Sequence, residues 1–417
     1  MDASGTVLAE RLEGTRRRTL DLFAPLSEEC LVRQASPLLS PPVWDLGHIA
    51  AWEELWLVRR VGRGPALPPE LDDLYDAFET PRTSRGTAPV LPPHEARHFL
   101  REVRARSLEV LGRSDLAPDA DPLTAGGFVF DMVVEHEAQH TETVLQALQM
   151  LPAGAYRPPA PRPLPRGGGG GGWVAIPDGV FCMGSARAGF AYDCERPCHV
   201  RPVAGFLIAR DPVTAGEHLE FMADGGYRRR VLWTDEGWAW RELEGAEAPL
   251  YWQRDGEGGW LARGFGETAP VDASVPLCHV SAHEADAHAR WAGARLPTEV
   301  EWERAAQDAP FGEATANVGQ LGYRPAPVGA YPAGPSGCRQ MIGDVWEWTS
   351  SAFGGYPGFR AFPYREYAEV FFGPRHRVLR GGSWATQAVA ARPSFRNWDL
   401  PERRQIFSGL RLARDLS

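Results

Sequence analysis

Four stretches in the first 151 residues carry apolar side chains every three or four positions, the pattern of amphipathic helices. The second of them follows Ser40-Pro41-Pro42, where a serine cap before proline at the first helical position is typical of a helix start. Helices of about 20 residues with apolar stripes predict a four-helix bundle, a fold whose interior commonly holds metal sites. The predicted helices span residues 4–24, 42–60, 93–113 and 128–151.

The pattern changes after residue 151. Residues 152–172 are rich in proline and end in a run of glycines, which predicts a linker that is semi-rigid and then flexible. Beyond it, short β-like runs alternate with Gly and Pro turns, and helical stretches cover 215–222 and 282–305. Near the end of the second stretch, Thr298 can cap a new helix with Glu301 three residues on. The β-like runs are Trp173–Ile176, Val200–Ile208 and Arg377–Leu379. We therefore predict an α+β protein with a bundle at 1–151 and an irregular α+β domain at 173–417.

Charge and composition narrow the class of protein. The net charge of −10 argues against general nucleic-acid binding, and no apolar run is long enough to predict a membrane span. The first residues lack the apolar core of a signal peptide, so we expect a cytoplasmic protein. The six cysteines show no CxxC spacing, which predicts reduced thiols. A monomer that acts on small molecules is the expectation.

His136 and His140 lie four positions apart on the last predicted helix, so both project from one face. Val129, Met132 and Val144 belong to the same stripe, which places the two imidazoles among buried side chains. Two imidazoles on such a face need a shared partner, and a metal ion is the obvious one. The alternative is a pair of core histidines satisfied by hydrogen bonds.

His48 occupies the middle of the inner face of the second helix, between Trp44 and Trp52. In a bundle it can face His136 and His140, and three neutral imidazoles suit Fe(II), Zn(II), Cu or Ni. The alternative is an isolated interior histidine.

A zinc hydrolase is a second hypothesis, because residues 136–140 match the HExxH pattern in which Glu137 would activate a metal-bound water. The chain that follows argues against it. After Leu151 it becomes Pro/Gly-rich, with no further helix to supply a glutamate ligand. A non-catalytic, lectin-like binding module on a helical bundle is the third hypothesis.

Three further groups could bind or react with a substrate. Arg82 and Arg85 can clamp a carboxylate or can be solvated surface charges. The stretch 394–409 alternates aromatic, amide, acidic and basic side chains that could hold a quaternary ammonium group; a packed loop with an Asp399–Arg403 ion pair is the alternative. A phenol in the segment 362–367 can donate a proton, although most such tyrosines only pack.

Several long motifs together resemble the nonheme iron sulfoxide synthases of ergothioneine biosynthesis. The DinB-like bundle of that family is matched by His136-x-x-x-His140-x-Glu142 and by the segment WDLGHI at 44–49. Its second domain, which resembles formylglycine-generating enzymes and C-type lectins, is matched by RLPTEVEWE at 295–303, GDVWEWT at 343–349 and RGGSW at 380–384. The resemblance covers nearly the whole chain.

The resemblance implies that Fe(II) and O2 are used to join hercynine, which is Nα-trimethylhistidine, to γ-glutamylcysteine as a sulfoxide. Free cysteine as the thiol donor and a selenosugar in place of the thiol stay open. The second domain would complete the substrate site. By resemblance, the iron ligands are His48, His136 and His140; the active-site tyrosine is Tyr364, with Tyr367 as the alternative; residues near hercynine are Gln139, Asn397 and Trp398; and γ-glutamylcysteine is bound by Arg82, Arg85, Asp399 and Arg403.

The sequence departs from the family pattern in one segment. Ala309-Pro310-Phe311-Gly312 stands where the formylglycine-type domain usually has a Tyr-Pro-Trp-Gly-like segment. The cysteine pair that formylglycine-generating enzymes use for copper has no counterpart, so that activity is not expected here.

Overall fold

A computed structural model describes residues 3–152, 154–159, 161–186, 189–265 and 267–416. The chain divides into two compact units. The N-terminal unit comprises Met1–Ala160, Arg187–Phe190 and Phe265–Glu267, and the C-terminal unit comprises Pro161–Ala186, Ala191–Gly264 and Thr268–Ser417. The first is helical and the second combines short strands with helices, which confirms the α+β class.

The N-terminal unit contains the four predicted long helices. Its α-helices are α1 (Ala3–Phe23), α2 (Glu28–Val32), α3 (Pro42–Glu53), α4 (Pro69–Tyr75), α5 (Pro93–Arg113) and α6 (Phe128–Met150). The second long helix differs from the prediction, because α3 continues as a π-helix over Glu54–Val61. Among the helices of the described residues, none combines the length and apolar character that crossing a bilayer would take.

The predicted capping role of Ser40 is wrong. The N-cap of α3 is Pro41, which has no side-chain oxygen, and Pro42 occupies the first helical turn. The Ser40 hydroxyl instead accepts a hydrogen bond of 2.8 Å from Nη1 of Arg85. A tertiary contact has thus replaced the local cap.

The centre of the bundle contains a network of four buried charges. Arg16 of α1 contacts Glu53 and Glu137 at 2.7 and 2.8 Å, and Arg104 of α5 contacts the same two carboxylates at 2.7 and 3.0 Å. All four side chains are almost fully buried, so each charge depends on its partners for the hydrogen bonds that water would supply. Because α1 turns Arg16 inward, Val7, predicted on the apolar side of that helix, is instead 47% exposed.

The described residues of the C-terminal unit form four small sheets and four α-helices. The helices are α7 (Ala215–Ala223), α8 (Asp235–Glu244), α9 (Ala282–Trp291) and α10 (Glu299–Ala306). The strands are β1 (Trp173–Ile176), β2 (Gly179–Met183), β3 (His199–Val203), β4 (Phe206–Ala209), β5 (Trp252–Arg254), β6 (Trp260–Arg263), β7 (Thr268–Pro270), β8 (Trp346–Phe353), β9 (Gly373–Arg380), β10 (Asn397–Asp399), β11 (Ser408–Gly409) and β12 (Ala413–Asp415). The sheets have the strand orders β1-β4-β12, β10-β9-β8-β11, β2-β3 and β5-β6-β7.

Two predicted elements of this unit are each divided in the structure. The run Val200–Ile208 forms β3 and β4, which belong to different sheets, and the predicted helix over 282–305 forms α9 and α10. The second division is at Thr298, whose side chain caps α10 while Glu301 bonds back to it, as the sequence predicted. The preceding Pro297 favours this break, because the residue before a proline avoids helical angles.

The glycine run before β1 is hydrogen-bonded within the C-terminal unit. The Gly171 amide donates to the Asp211 carboxylate at 3.0 Å, and the Gly169 carbonyl accepts a bond of the same length from Arg339. Arg339 also pairs with Asp211 at 2.7 Å. The same short segment is thus bonded to one acidic and one basic side chain that are themselves an ion pair.

The prediction of six reduced cysteines is wrong for one pair. Cys182 of β2 and Cys198, which directly precedes β3, form a disulfide with 5.9 Å between their Cα atoms. Antiparallel pairing of β2 with β3 brings these two positions together across 16 residues of sequence. No local spacing rule detects such a pair, because the contact depends on strand register. Cys30, Cys194 and Cys338 are free thiols.

Candidate metal centre

The helices α3 and α6 bring His48, His136 and His140 together. One ring nitrogen of each lies within 4.8 Å of the corresponding atoms of the other two. Nε2 of His48 is 3.2 Å from Nε2 of His136. Three imidazoles on two facing helices thus converge on one point, although His48 is 88 residues from the pair in sequence.

The outer nitrogens of two of these rings have defined partners. Nδ1 of His48 donates to the backbone carbonyl of Tyr75 at 2.6 Å, and Nδ1 of His140 donates to the Asp45 carboxylate at 2.9 Å. A proton on Nδ1 leaves Nε2 with a free electron pair. Metal-binding histidines usually have this kind of support, which fixes both tautomer and ring orientation.

Two tryptophans of α3 lie flat against the histidines. The ring centroids of Trp44 and His48 are 4.7 Å apart with 13° between the planes. Those of Trp52 and His136 are 3.8 Å apart with 10° between the planes. Their spacing of four residues on either side of His48 places both tryptophans near the same helix face. The indoles therefore restrict the rotation of two of the three imidazoles.

Gly47 is required by the packing around the Tyr75 carbonyl. A Cβ at this position of α3 would overlap the ring of Tyr75. The Tyr75 hydroxyl accepts a hydrogen bond from the Leu91 amide at 3.0 Å, which anchors the far end of the ring. Close approach of the ring to α3 is what brings the Tyr75 carbonyl to His48.

The electrostatics of the centre favour neutral imidazoles. Burial is the main cause that lowers the pKa of His48 and of His136 well below the usual value, and the neighbouring histidines lower it further. The neutral ring is the form that binds metals. Asp45 is buried, and within the described residues its Oδ2 has no hydrogen-bond partner. This carboxylate adds negative charge behind His140.

Glu137 is not available as a general base. The zinc-hydrolase hypothesis would use its carboxylate as the base, but that carboxylate is buried in the bundle network. Oε1 accepts from Arg16 and Thr19 at 2.8 and 2.7 Å, and Oε2 accepts from Arg104 at 3.0 Å. The HExxH pattern therefore reflects bundle packing rather than hydrolase chemistry.

The structure separates the two arginines that were predicted to form a clamp. Arg82 is exposed, whereas Arg85 is only 5% exposed and its guanidinium lies 3.4 Å from the centroid of the Trp44 ring. Burial is the main cause that lowers the pKa of Arg85, to about 10. Gln139 is half-buried on α6, and its amide donates to the Glu135 carbonyl at 3.2 Å.

In the C-terminal unit, Tyr367 and Trp398 belong to one aromatic cluster. Tyr367 stacks on Tyr192 with centroids 3.8 Å apart and meets Trp398 edge-on at 5.6 Å. Trp398 stacks on Phe353 at 4.1 Å. Tyr364 lies at the margin, with its centroid 6.3 Å from that of Tyr367. Burial is the main cause that raises the pKa of Tyr367 well above its usual value.

Asn397, Trp398 and Asp399 form the strand β10, which pairs with β9. Successive strand residues project to opposite faces, so Asn397 and Asp399 lie on one face and Trp398 on the other. Nε of Arg403 is 3.7 Å from the Asp399 carboxylate, and both side chains are about one quarter exposed. An acid and a base thus lie side by side at the end of this strand.

Comparison with known proteins defines the family. Residues 160–416 match the model of the sulfatase-modifying factor enzyme 1-like domain, and residues 11–144 match the DinB superfamily. The hercynine oxygenase of Mycolicibacterium smegmatis is 46% identical over 84% of this chain and 84% of its own length. That of Mycobacterium tuberculosis is 45% identical over 84% of this chain and 85% of its own.

The chain belongs to the hercynine oxygenase family. It is therefore an enzyme. The formylglycine-generating enzyme of Mycobacterium tuberculosis is 32% identical over 44% of this chain and 74% of its own length. This more distant similarity covers less than half of the chain, in keeping with a shared C-terminal domain.

In this chain, the three histidines and the groups around them fit a bound metal ion. The donor set is three converging imidazoles, of which His48 is buried and His136 and His140 are half-buried. Two of the rings are supported by hydrogen bonds, and an incompletely paired carboxylate lies directly behind one of them. A cation would balance that carboxylate and give the three nitrogen lone pairs a shared partner.

Sequence reasoning missed three supporting groups of the centre. Asp45 lies inside the WDLGHI segment, three residues before His48, so an acidic residue next to a ligand was a usable signal. The position of Trp44 indicated a residue of the inner helix face, but not that its ring stacks on His48. The Tyr75 carbonyl had no signal at all, because any residue carries a backbone oxygen and only the fold decides where it points.

Proposed function

We propose that the protein joins hercynine to γ-glutamylcysteine in an Fe(II)- and O2-dependent reaction of ergothioneine biosynthesis. The observation that carries the proposal is the convergence of three imidazoles in a chain that belongs to the hercynine oxygenase family. His48, His136 and His140 would hold the metal. A three-histidine site leaves coordination positions open, as a catalytic metal requires.

The reaction is a four-electron oxidation. The C–H bond at the hercynine imidazole and the S–H bond of the thiol break, a C–S bond forms, and sulfur gains one oxygen as the sulfoxide. O2 accepts the four electrons, and its second oxygen leaves as water with the two hydrogens. A bound ferrous ion would supply the one-electron chemistry that lets O2 react with closed-shell substrates.

The protein's own residues would bind the substrates and move one proton. Tyr364 is proposed to donate a proton from its hydroxyl to the reacting oxygen. Gln139, Asn397 and Trp398 are proposed to contact hercynine, whose quaternary ammonium group suits an aromatic face.

Charged side chains suit the second substrate, which has two carboxylates and one amine. Arg82 and Arg403 match the carboxylates, and Asp399 matches the amine. Arg85 belongs to the same predicted group, but three internal acceptors already engage its guanidinium.

Anaerobic reconstitution with Fe(II) followed by O2 tests the proposal. Hercynine is supplied with γ-glutamylcysteine, free cysteine or a selenosugar in parallel reactions, and the adduct is identified by mass. We expect a sulfoxide adduct with γ-glutamylcysteine, and we expect kcat/KM for this donor to be higher than for cysteine or the selenosugar. Preference for cysteine or the selenosugar would replace the proposed donor while keeping the reaction class. If no donor consumed O2 together with hercynine, the proposed reaction would be rejected.

A pair of matched variants tests whether the activity depends on the three-histidine centre. His136→Ala removes one proposed ligand, whereas His94→Ala removes an exposed imidazole of the same unit. We expect the first to abolish adduct formation and the second to leave it unchanged. Metal content by elemental analysis should fall in the first variant only.

A further inference from the structure

The segment around Tyr364 is held from both sides by two neighbouring residues of one loop. Tyr192 and Asp193 lie in the connection from β2 to β3. The Asp193 carboxylate accepts a hydrogen bond of 3.2 Å from the Phe362 amide, two residues before Tyr364. The Tyr192 ring stacks on that of Tyr367, three residues after Tyr364, with centroids 3.8 Å apart and 8° between the planes. One loop therefore contacts the chain on both sides of the proposed proton donor.

Tyr364 depends on such contacts because its own chain segment is irregular. It lies between β8 and β9, outside the hydrogen-bond ladder that joins those strands. Its ring is half-buried, and its centroid is 6.3 Å from that of Tyr367. Contacts from other segments therefore determine where its hydroxyl lies.

Asp193 is a strong hydrogen-bond acceptor at neutral pH. Its side chain is buried, and its second oxygen accepts a bond of 2.7 Å from the Cys194 amide. Burial is the main cause that raises the pKa of Asp193, to about 6, so the carboxyl group is still ionised at neutral pH. An ionised carboxylate only accepts hydrogen bonds, and it accepts them more strongly than a neutral oxygen does.

The loop is itself anchored through the buried Glu195. The Glu195 carboxylate accepts a hydrogen bond of 3.0 Å from the Tyr192 amide and one of 2.8 Å from Nε of Arg392. It also accepts from the Ser394 hydroxyl at 2.8 Å. Arg392 and Ser394 directly precede β10, the strand of the residues proposed to contact hercynine. The loop is thus fixed to the same chain segment that leads into the proposed substrate strand.

We propose that Tyr192 and Asp193 are positioning residues, which hold the chain on both sides of Tyr364 and so fix the place of its hydroxyl. The inference rests on the role that the proposed function gives to Tyr364. A general acid must lie within hydrogen-bond reach of the atom that it protonates. A small displacement of a catalytic group costs a large factor in rate. Tyr192 and Asp193 therefore affect the reaction without touching a substrate.

Hydrogen–deuterium exchange of the peptide that covers residues 362–367, read by mass spectrometry, measures this support without turnover. Asp193→Asn replaces one acceptor oxygen by an amide nitrogen, and Tyr192→Leu removes the stacked ring. We expect the Phe362 amide to exchange about ten-fold faster or more in Asp193→Asn, the factor that corresponds to a lost hydrogen bond to a charged group. Tyr192→Leu should also speed exchange of this peptide. Asp178→Asn, at an exposed acidic residue just before β2, is the matched control and should exchange as the wild type does.

Steady-state kinetics with product analysis tests the effect on the reaction. We expect Asp193→Asn and Tyr192→Leu to lower kcat for sulfoxide formation by a factor of about 10 to 100, because Tyr364 loses its reaction geometry. KM for hercynine and for the thiol should change little, since neither residue is proposed to touch a substrate. Tyr192→Phe keeps the stacked ring and should restore most of the activity that Tyr192→Leu loses. In a Tyr364→Phe background, Tyr192→Leu should have little further effect on kcat.

The outcomes separate the inference from the proposed function. Wild-type exchange rates in Asp193→Asn and Tyr192→Leu would overturn the inference, and so would faster exchange with wild-type kcat and products. A raised KM with unchanged kcat would make these residues substrate contacts and would also overturn it. Faster exchange in both variants, where even the wild type forms no adduct with any donor, would support the hold on Tyr364 while rejecting the reaction. Asp193→Asn decides the question if Tyr192→Leu fails to fold, as judged by circular dichroism.

Discussion

The carboxylate of Asp45 lies 2.9 Å from Nδ1 of His140, and both residues belong to the facing helices α3 and α6. Asp45 is buried, and no hydrogen bond within the described residues reaches its second oxygen. An acidic side chain in this state is costly unless a positive charge lies nearby. The pair therefore links the fold of the bundle to the charge of the ion that the three histidines would bind.

Replacing Asp45 by asparagine should weaken metal binding. Asp45→Asn keeps the size and an oxygen acceptor but removes the negative charge behind His140. We expect a loss of about 10- to 100-fold in Co(II) or Fe(II) affinity, measured by titration of the metal-free protein.

Asp131→Asn is the control for this change. Asp131 lies on α6 and pairs with Arg11, whose side chain is 49% exposed. The loss of such a pair should leave metal affinity unchanged. Equal affinities in Asp45→Asn and Asp131→Asn would show that the carboxylate does not support the centre.

Gly47→Ala should damage both folding and metal binding. The new methyl group would overlap the Tyr75 ring, whose hydroxyl is anchored at Leu91. Overpacking of this kind costs about 1–3 kcal/mol and would displace the carbonyl that supports His48. Urea unfolding and Co(II) titration measure the two effects.

Gly112→Ala is the matched control in the same unit. Its methyl group would meet nothing within 4 Å on the exposed side of α5. Alanine in a helix is favoured over glycine, so this variant should gain up to about 1 kcal/mol. Equal behaviour of the two alanine variants would contradict the tight packing inferred at Gly47.

The buried charge network should make the bundle sensitive to acid. Burial alone would raise the pKa of Glu53, but Arg104 and Arg16 outweigh it and lower the pKa from 4.5 to about 2. A lowered folded-state pKa adds stability that is present above pH 4.5 and is lost as pH falls toward 2. Urea midpoints between pH 6 and 2 should therefore fall steeply in the wild type.

Glu53→Gln removes that titration. It should cost about 3–5 kcal/mol at neutral pH, because Arg16 and Arg104 each lose a charged partner. Between pH 4.5 and 2 its urea midpoint should fall less than that of the wild type. Parallel curves for the two proteins would assign the acid sensitivity to other carboxylates.

Tyr364→Phe and Tyr367→Phe separate the two candidate tyrosines. Tyr364 lies at the margin of the aromatic cluster, whereas Tyr367 is stacked on Tyr192 inside it. We expect Tyr364→Phe to reduce sulfoxide formation by about 100-fold or more, because a general acid typically contributes at least that factor. The same change should divert O2 toward oxidation of the thiol alone. Mass analysis of the products measures both. The reverse pattern, with only Tyr367→Phe changing the products, would move the role to Tyr367.

Helix positions were predictable because they depend on local periodicity. The helix α5 has the predicted limits, and α1 and α6 end within one residue of theirs. The spacing of His136 and His140 indicated a shared ligand face for the same reason. The new helix at Thr298 was predictable from its local capping signal, whereas the division of Val200–Ile208 into β3 and β4 was not, because pairing with different sheets leaves no local pattern.

The role of charged side chains was the least predictable part. Glu137 is adjacent to a proposed ligand in sequence, yet the helical turn directs it toward Arg16 and Arg104. Arg82 and Arg85 are three residues apart, yet one is exposed and the other is packed on Trp44. Burial of a charge depends on partners from distant segments, so its sequence neighbours do not reveal it.

The sequence by itself determined the long helices of the bundle, the histidine pair on α6 and the motifs that identify the family, because each is encoded over a short span. The sequence also predicted His48 as the third candidate ligand, but only the tertiary structure decided which groups support the imidazoles. His48, Asp45 and the Tyr75 carbonyl reach the other imidazoles through the packing of α3 against α6 and of the Tyr75 ring against Gly47. Packing and hydrogen bonding join residues that are far apart in the chain, and local periodicity carries no record of those contacts.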